Sequence, residues 1–242
     1  MRKKILIFLV GLCICNCTII QRERFDGRFL NVTTSVVKII IESEKLLNNK
    51  GQATGFFCID SKTIITAEHI IPTSENYNLK FQYKDNKFNL KLLYRNPELD
   101  IAILEVVEKN NYFLPKPIKI SQRSAYLTQE VFAIGYPYNK YIVDNHPTIN
   151  AGNISSKDRY IVLDDKEKGP FYQADLYASD GFSGSPVFNS MGHFLGMVNY
   201  IYGKDNGLWQ GATYITPSID IYKFLEGIKK KNEKKKNNSS KN

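Results

Sequence analysis

Gly181-Phe182-Ser183-Gly184-Ser185-Pro186-Val187-Phe188 sets a serine inside a glycine-framed turn that runs straight into an apolar strand. Glycine on either side opens backbone conformations closed to other residues, so two amides, those of Gly181 and Ser183, can point at one spot. Such a pair suits the oxyanion that forms when a hydroxyl attacks a carbonyl. A serine hydroxyl is a weak nucleophile near neutral pH and needs a base at hydrogen-bonding distance, a task that suits imidazole. The imidazole in turn needs a carboxylate to fix its tautomer and stabilise its cation.

Both partners stand upstream, each at the edge of an apolar run. Leu99-Asp100-Ile101-Ala102-Ile103-Leu104 opens a strand with an acid, and Thr66-Ala67-Glu68-His69-Ile70 closes one with a histidine. Each segment alone is weak, because a lone histidine after a strand is usually structural and an aspartate before one is usually a turn residue. The order His69, Asp100, Ser183, with separations of 31 and 83 residues, is far more specific.

The chain around them is a series of short β-branched and aromatic runs: 36–41, 55–59, 63–66, 79–83, 88–94 and 101–106, then 130–134, 160–163, 185–188, 193–200 and 208–215. Turn signals such as Asp60-Ser61, Asn96-Pro97 and Met191-Gly192 separate them, and 121–128 is loop-like. No βαβ alternation occurs, so the class is all-β, a sandwich or barrel. At 242 residues the chain suits one large all-β domain or two small ones. One helix is expected near the end, capped by Ser218, with Ile219, Tyr222 and Leu225 on its apolar face and Gly227 after it. Residues 229–242, almost entirely Lys, Asn and Ser, read as a basic disordered tail.

The net charge of +9 does not indicate a nucleic-acid partner. Arg2, Lys3 and Lys4 supply three positive charges, and seven Lys against one Glu from Lys229 onward supply six, which leaves a neutral body. Cys13, Cys15 and Cys17 cluster near the N-terminus, so Cys58 stands alone in the body without a disulfide partner or zinc-ligand spacing. No metal or cofactor is expected. Residues 1–17 read as an export signal, basic at Arg2-Lys3-Lys4 and apolar from Ile5 to Ile14. Ile14-Cys15-Asn16-Cys17 resembles a loose bacterial lipobox with Cys17 as the lipidated residue; an ordinary cleaved signal and an uncleaved anchor are the alternatives. Residues 18–30 would be a tether, followed by the folded body at 31–228 and an exported, cell-envelope location.

The three chemical segments resemble those of trypsin-like serine proteases of the chymotrypsin fold, in the disulfide-free bacterial form of HtrA-type proteases and glutamyl endopeptidases. Gly55-Phe56-Phe57 through Ile65-Thr66-Ala67-Glu68-His69-Ile70 matches the family's histidine segment, and Asp100-Ile101-Ala102-Ile103-Leu104 its aspartate motif. Ala133-Ile134-Gly135-Tyr136-Pro137, Ala151-Gly152-Asn153-Ile154-Ser155-Ser156 and Gln173-Ala174-Asp175 match further stretches, so the likeness runs from about Ser35 to Leu225. The resemblance implies two six-stranded antiparallel barrels with a C-terminal helix, and Cys58 as inert packing on a buried strand. His69, Asp100 and Ser183 would be catalytic, the Gly181 and Ser183 amides the oxyanion hole, and proteins or peptides the substrates. No PDZ-like module is expected after the body.

By the same resemblance Tyr177, six residues before the nucleophile, is the specificity-pocket floor, with Ala178, Val198, Asn199 and Tyr200 around it. That set favours small or medium apolar residues. Asp175 is read as structural, with the pocket as its alternative, and Glu68 as a solvent-facing neighbour of the base or a second negative charge acting on it. His146 and His193 are assigned no catalytic role. Phe182 replaces the family's Asp or Asn before the nucleophile; a deformed oxyanion loop there would make the chain a non-catalytic surface binding protein, the rival reading.

Overall fold

β6 (Ile101–Val106) shows how the core is built. Ala102 and Leu104 point into one barrel, while Ile101 and Ile103 point away from it into a second apolar cluster. β2 (Lys50–Cys58) and β3 (Thr63–Thr66) divide in the same way, with Ala53, Phe57 and Ile64 on one side and Phe56, Cys58 and Ile65 on the other. Strands buried on both faces read as unbroken apolar runs, which is why these three stand out in the sequence. β5 (Asn86–Asn96) keeps one face in water, and buried Phe88 and Leu90 there alternate with exposed Lys87, Asn89 and Lys91.

The computed structural model describes residues 32–43, 50–73, 76–83, 86–108, 115–138, 146–163, 165–202 and 212–239. With β1 (Val36–Ser43) and β4 (Tyr77–Tyr83), the first six strands close in the order β1-β2-β3-β6-β5-β4. The second barrel comprises β7 (Glu130–Gly135), β8 (Thr148–Leu163), β9 (Lys166–Ala174), β10 (Pro186–Asn189), β11 (Phe194–Tyr202) and β12 (Ala212–Pro217), in the order β10-β11-β12-β9-β8-β7. All pairings are antiparallel, and the two six-stranded barrels expected from the resemblance are present.

The barrels meet through the shared cluster. Phe56, Ile65, Ile101 and Ile103 from the first pack with Phe132, Ile134, Phe188, Phe194 and Met197 from the second, and the Phe56 and Phe194 ring centroids lie 5.4 Å apart. Burying an interface of this kind stabilises by about 25 cal/mol per Å² of apolar surface, and it fixes one barrel's loops against the other's.

The helix α1 (Ser218–Ser239) lays Ile221, Phe224, Leu225 and Ile228 on that cluster. Two expectations about it need correction. Ser218 Oγ does not cap it; the buried hydroxyl donates to Arg123 O at 2.8 Å and ties the helix to the inter-barrel segment. Nor does the helix stop at Gly227, and residues 229–239 are helical where a disordered tail was expected. Gly227 faces open space and costs only about 1 kcal/mol in a helix interior, whereas lysine is a good helix former. Apolar contact with the core ends at Ile228, and one turn further on Asn232 Oδ1 accepts from the Tyr94 hydroxyl at 3.2 Å.

Candidate active site

Asp100 opens β6 with φ +52°, in the left-handed region that aspartate tolerates better than most residues. This bend turns the carboxylate back toward the segment after β3. Asp100 Oδ1 accepts the His69 backbone N–H at 2.8 Å, and Oδ2 accepts from His69 Nδ1 at 2.8 Å. The Asp100 carbonyl also accepts the Glu68 amide at 3.2 Å. Asp100 is fully buried, while the His69 side chain is 34% exposed. One carboxylate therefore fixes the ring's position and favours the tautomer with the proton on Nδ1 and the lone pair on Nε2. Ser183 Oγ lies 3.1 Å from that Nε2.

The nucleophile turn is held from both sides. The Gly184 amide donates to Val198 O on β11 at 2.8 Å, and the Thr54 amide on β2 donates to Ser183 O at 2.9 Å. Gly181 and Gly184 have φ of +91° and +88°. A Cβ on Gly181 would lie 2.3 Å from Tyr136 O, and one on Gly184 would lie 2.0 Å from Thr54 O. Both positions thus need glycine for conformation and for room. Phe182 N donates to Ser179 O and Ser185 N to Phe182 O, whereas among the described residues the Gly181 and Ser183 amides have no protein acceptor.

The trypsin-like peptidase domain profile matches residues 53–197, more than half of the chain, and all three of these side chains lie within it. The chain belongs to the trypsin-like peptidase family. Serine endoprotease DegS of Haemophilus influenzae is 29% identical over 176 residues, covering 72% of this chain and 48% of that protein. A probable periplasmic serine endoprotease, DegP-like, of Pseudomonas putida is 27% identical over 169 residues, covering 69% of this chain and 32% of that protein. The chain thus spans about half or less of these relatives. Among solved structures, the active form of the Rv3671c protease of M. tuberculosis superposes with a TM-score of 0.63 at 21% identity, covering 78% of each chain. A serine endoprotease of Yersinia pestis does so with 0.65 at 22% identity, covering 84% of this chain and 65% of that one. Both share the fold.

Against the family pattern, Phe182 is the main departure, and its place differs from the one feared. The ring is buried in the second barrel's core among Ala133, Leu176, Val187 and Val198. It anchors the turn from beneath, and the turn's hydrogen bonds are intact around it. Glu68 also departs from expectation. It is only 6% exposed, with Oε1 accepting from Arg95 Nε at 2.7 Å and from Arg95 Nη2. The turn at the strand end rolls the carboxylate under the His69 loop, where a buried anion requires a cation. Glu68→Ala strands the partly buried Arg95 and is expected to cost about 1–3 kcal/mol, read as a lower urea midpoint.

The specificity residues are placed unevenly. Residues 176–178 alternate, with Leu176 and Ala178 buried and Tyr177 outward, 66% exposed. The Tyr177 ring therefore does not close the floor of a slot; its backbone carbonyl accepts from Asn150 Nδ2 at 2.8 Å. Val198 is in the barrel core, and the Asn199 side chain turns inward to the Thr216 hydroxyl, presenting only its carbonyl to Ser183 Oγ at 3.3 Å. Tyr200 lies on β11, but its side chain is outside the described residues, as is Cys17. Asp175 Oδ1 accepts the Asn153 amide, a structural brace between β8 and the segment after β9.

Cys58 is fully buried, and burial pushes its thiol above the ordinary range, the condition of an inert packing residue. Among the described residues no group of three or more His, Cys, Asp or Glu side chains is placed to share a cation. Sequence reasoning missed Thr54. Its hydroxyl donates to Gly181 O at 2.7 Å and accepts the Tyr136 amide at 2.9 Å, bracing the turn from the other barrel. The only signal was a polar residue inside the Ala53–Cys58 apolar strand.

Proposed function

We propose that the chain is an exported serine endopeptidase that cleaves peptide bonds through an acyl-enzyme. The observation that carries this reading is the unbroken line Asp100–His69–Ser183, at 2.8 and 3.1 Å, beside two amides that have no acceptor among the described residues. Ser183 Oγ attacks the scissile carbonyl while its proton passes to His69 Nε2, and the oxyanion takes the Gly181 and Ser183 N–H groups. His69 then returns the proton to the departing amine, and water repeats the sequence on the ester. Asp100 keeps His69 in the accepting tautomer and faces the cation it becomes.

Phe182 is the ground for a non-catalytic binding role, and its burial in the core beneath the turn favours the catalytic reading over that rival. The likeness to probable periplasmic DegP-like endoproteases, with the basic-apolar stretch at 1–17, supports export. Lipidation at Cys17 belongs to the same proposal and is read by intact mass. A preference for small or medium aliphatic residues at the cut site belongs to the same proposal and is read by peptide-library profiling.

The test is labelling of the purified protein with a fluorophosphonate beside Ser183→Ala. Strong labelling that vanishes in the variant is expected. A folded wild type that takes no label would sink the reading.

A further inference from the structure

Resting on the endopeptidase reading, we infer that Arg95 is a positioning residue for the reaction, one that fixes the turn carrying His69 so that the imidazole stays in line with Ser183. The turn spans 68–71 and is closed by Ile71 N–H, which donates to Glu68 O at 2.9 Å. His69 is its second residue. Asp100 holds the His69 backbone and ring at 2.8 Å each, and its carbonyl accepts the Glu68 amide at 3.2 Å. Ile71 is buried in the first barrel's core and anchors the far end. The remaining grip is on the Glu68 side chain, where Arg95 places two donors on the one oxygen Oε1, Nε at 2.7 Å and Nη2 beside it. Nη2 also lies 3.5 Å from Ile71 O, so a single guanidinium spans both ends of the turn.

The backbone of Arg95 is fixed by the same strand pair that presents Asp100. Arg95 sits near the end of β5, opposite Ala102 on β6, and Ala102 in turn opposes Thr66, the last residue of β3 before the turn. The next residue, Asn96, accepts the Glu98 and Leu99 amides on Oδ1 at 3.1 Å each and fixes the short link that delivers Asp100. Two adjacent residues at one strand end therefore support the two partners of Ser183, Arg95 the histidine and Asn96 the aspartate. His69 needs such support. Its side chain is 34% exposed, and on the proposed mechanism it must stay within reach of Ser183 Oγ, 3.1 Å away, while a proton passes out and back. A displacement of about 1 Å at a reacting group can cost about 10² in rate.

An ion pair that served the fold alone would show itself in stability alone. Glu68 is buried and the Arg95 side chain is 33% exposed. A buried pair can often be replaced by apolar side chains of similar volume at little cost in stability, provided that both charges go together. The planar fork of arginine is what reaches Glu68 twice and Ile71 O as well, whereas a lysine ammonium keeps the charge but acts as a point. A positioning role therefore predicts that stability and rate come apart.

The test compares the full chain with Arg95→Lys and with the double variant Glu68→Met, Arg95→Met. Each is titrated with urea and labelled by a small fluorophosphonate at a series of concentrations. The double variant leaves neither charge of the pair alone and is expected to keep a urea midpoint near that of the wild type. Its maximal labelling rate is expected to fall about ten- to a hundredfold, with the half-saturating probe concentration unchanged. Arg95→Lys keeps the charge and is expected to fold as the wild type does and to label about threefold or more slowly. A folded double variant that labels at the wild-type rate overturns the proposal, and so does a loss confined to the half-saturating concentration. A lysine variant as fast as the wild type overturns it whatever the methionine variant does. The wild-type arm keeps the two readings apart: failure to label removes the endopeptidase, while a labelled wild type beside equally fast variants removes only the role of Arg95.

Discussion

Asp100→Asn is expected to lower kcat/KM for peptide hydrolysis by about 10⁴ while leaving the fold in place. The carboxylate is fully buried and spends both oxygens on His69, one on the backbone N–H and one on Nδ1. Asparagine keeps the volume and can still accept the backbone N–H through Oδ1. Its other terminus is then an NH₂ facing Nδ1, which forces the ring to accept there and to carry its proton on Nε2. A histidine in that tautomer cannot receive the Ser183 proton. The second-order rate of fluorophosphonate labelling reads the loss directly, and circular dichroism reads the fold. A loss under tenfold would mean that some other group orients the ring.

Phe182→Ala is expected to destabilise by about 3–5 kcal/mol, the usual cost of emptying a phenylalanine site that cannot collapse. Phe182 is 1% exposed and packs with Val187 and Val198, whose strands are themselves fixed by antiparallel pairing. The cavity would open under the turn that carries Ser183, so labelling should slow in the molecules that remain folded. For a chain of this size each kcal/mol is worth about 2–4 °C in Tm, so calorimetry should show a fall of roughly 10 °C. Phe182→Leu, which refills most of the site, should recover more than half of it. An alanine variant as stable as the wild type would show that the ring carries no packing energy.

The sequence made the triad readable because chemistry restricts which residue types can do each job, and because Asp100 and His69 each sit at the edge of an apolar run. The same clarity holds for β2, β3 and β6, buried on two faces. β9 escaped notice because Lys166-Glu167-Lys168-Gly169-Pro170 is polar and half in water, and its partner β8 was seen only at 160–163. What stayed hidden depends on distance along the chain. Thr54 matters through a carbonyl 127 residues away, and Glu68 is buried because Arg95, 27 residues on, reaches it. Tyr177 is a different case: counting back from Ser183 locates the backbone but does not say which way a ring in an extended segment points. Likewise the polar end of α1 holds no apolar stripe to announce a helix, yet nothing in it forbids one.

The Thr54 hydroxyl has a consequence for how the molecule comes into being. Each barrel closes on its own strand pairs, but the carbonyls of Gly181 and Ser183 are anchored by the hydroxyl and the amide of one residue that belongs to the other barrel. Contacts of such long sequence separation form late, after local pairings have shortened the loop between them. A half-folded chain, even with its second barrel complete, lacks both His69 and the brace on its nucleophile turn. On the proposed endopeptidase reading, hydrolytic competence is expected to appear only once the two barrels have docked.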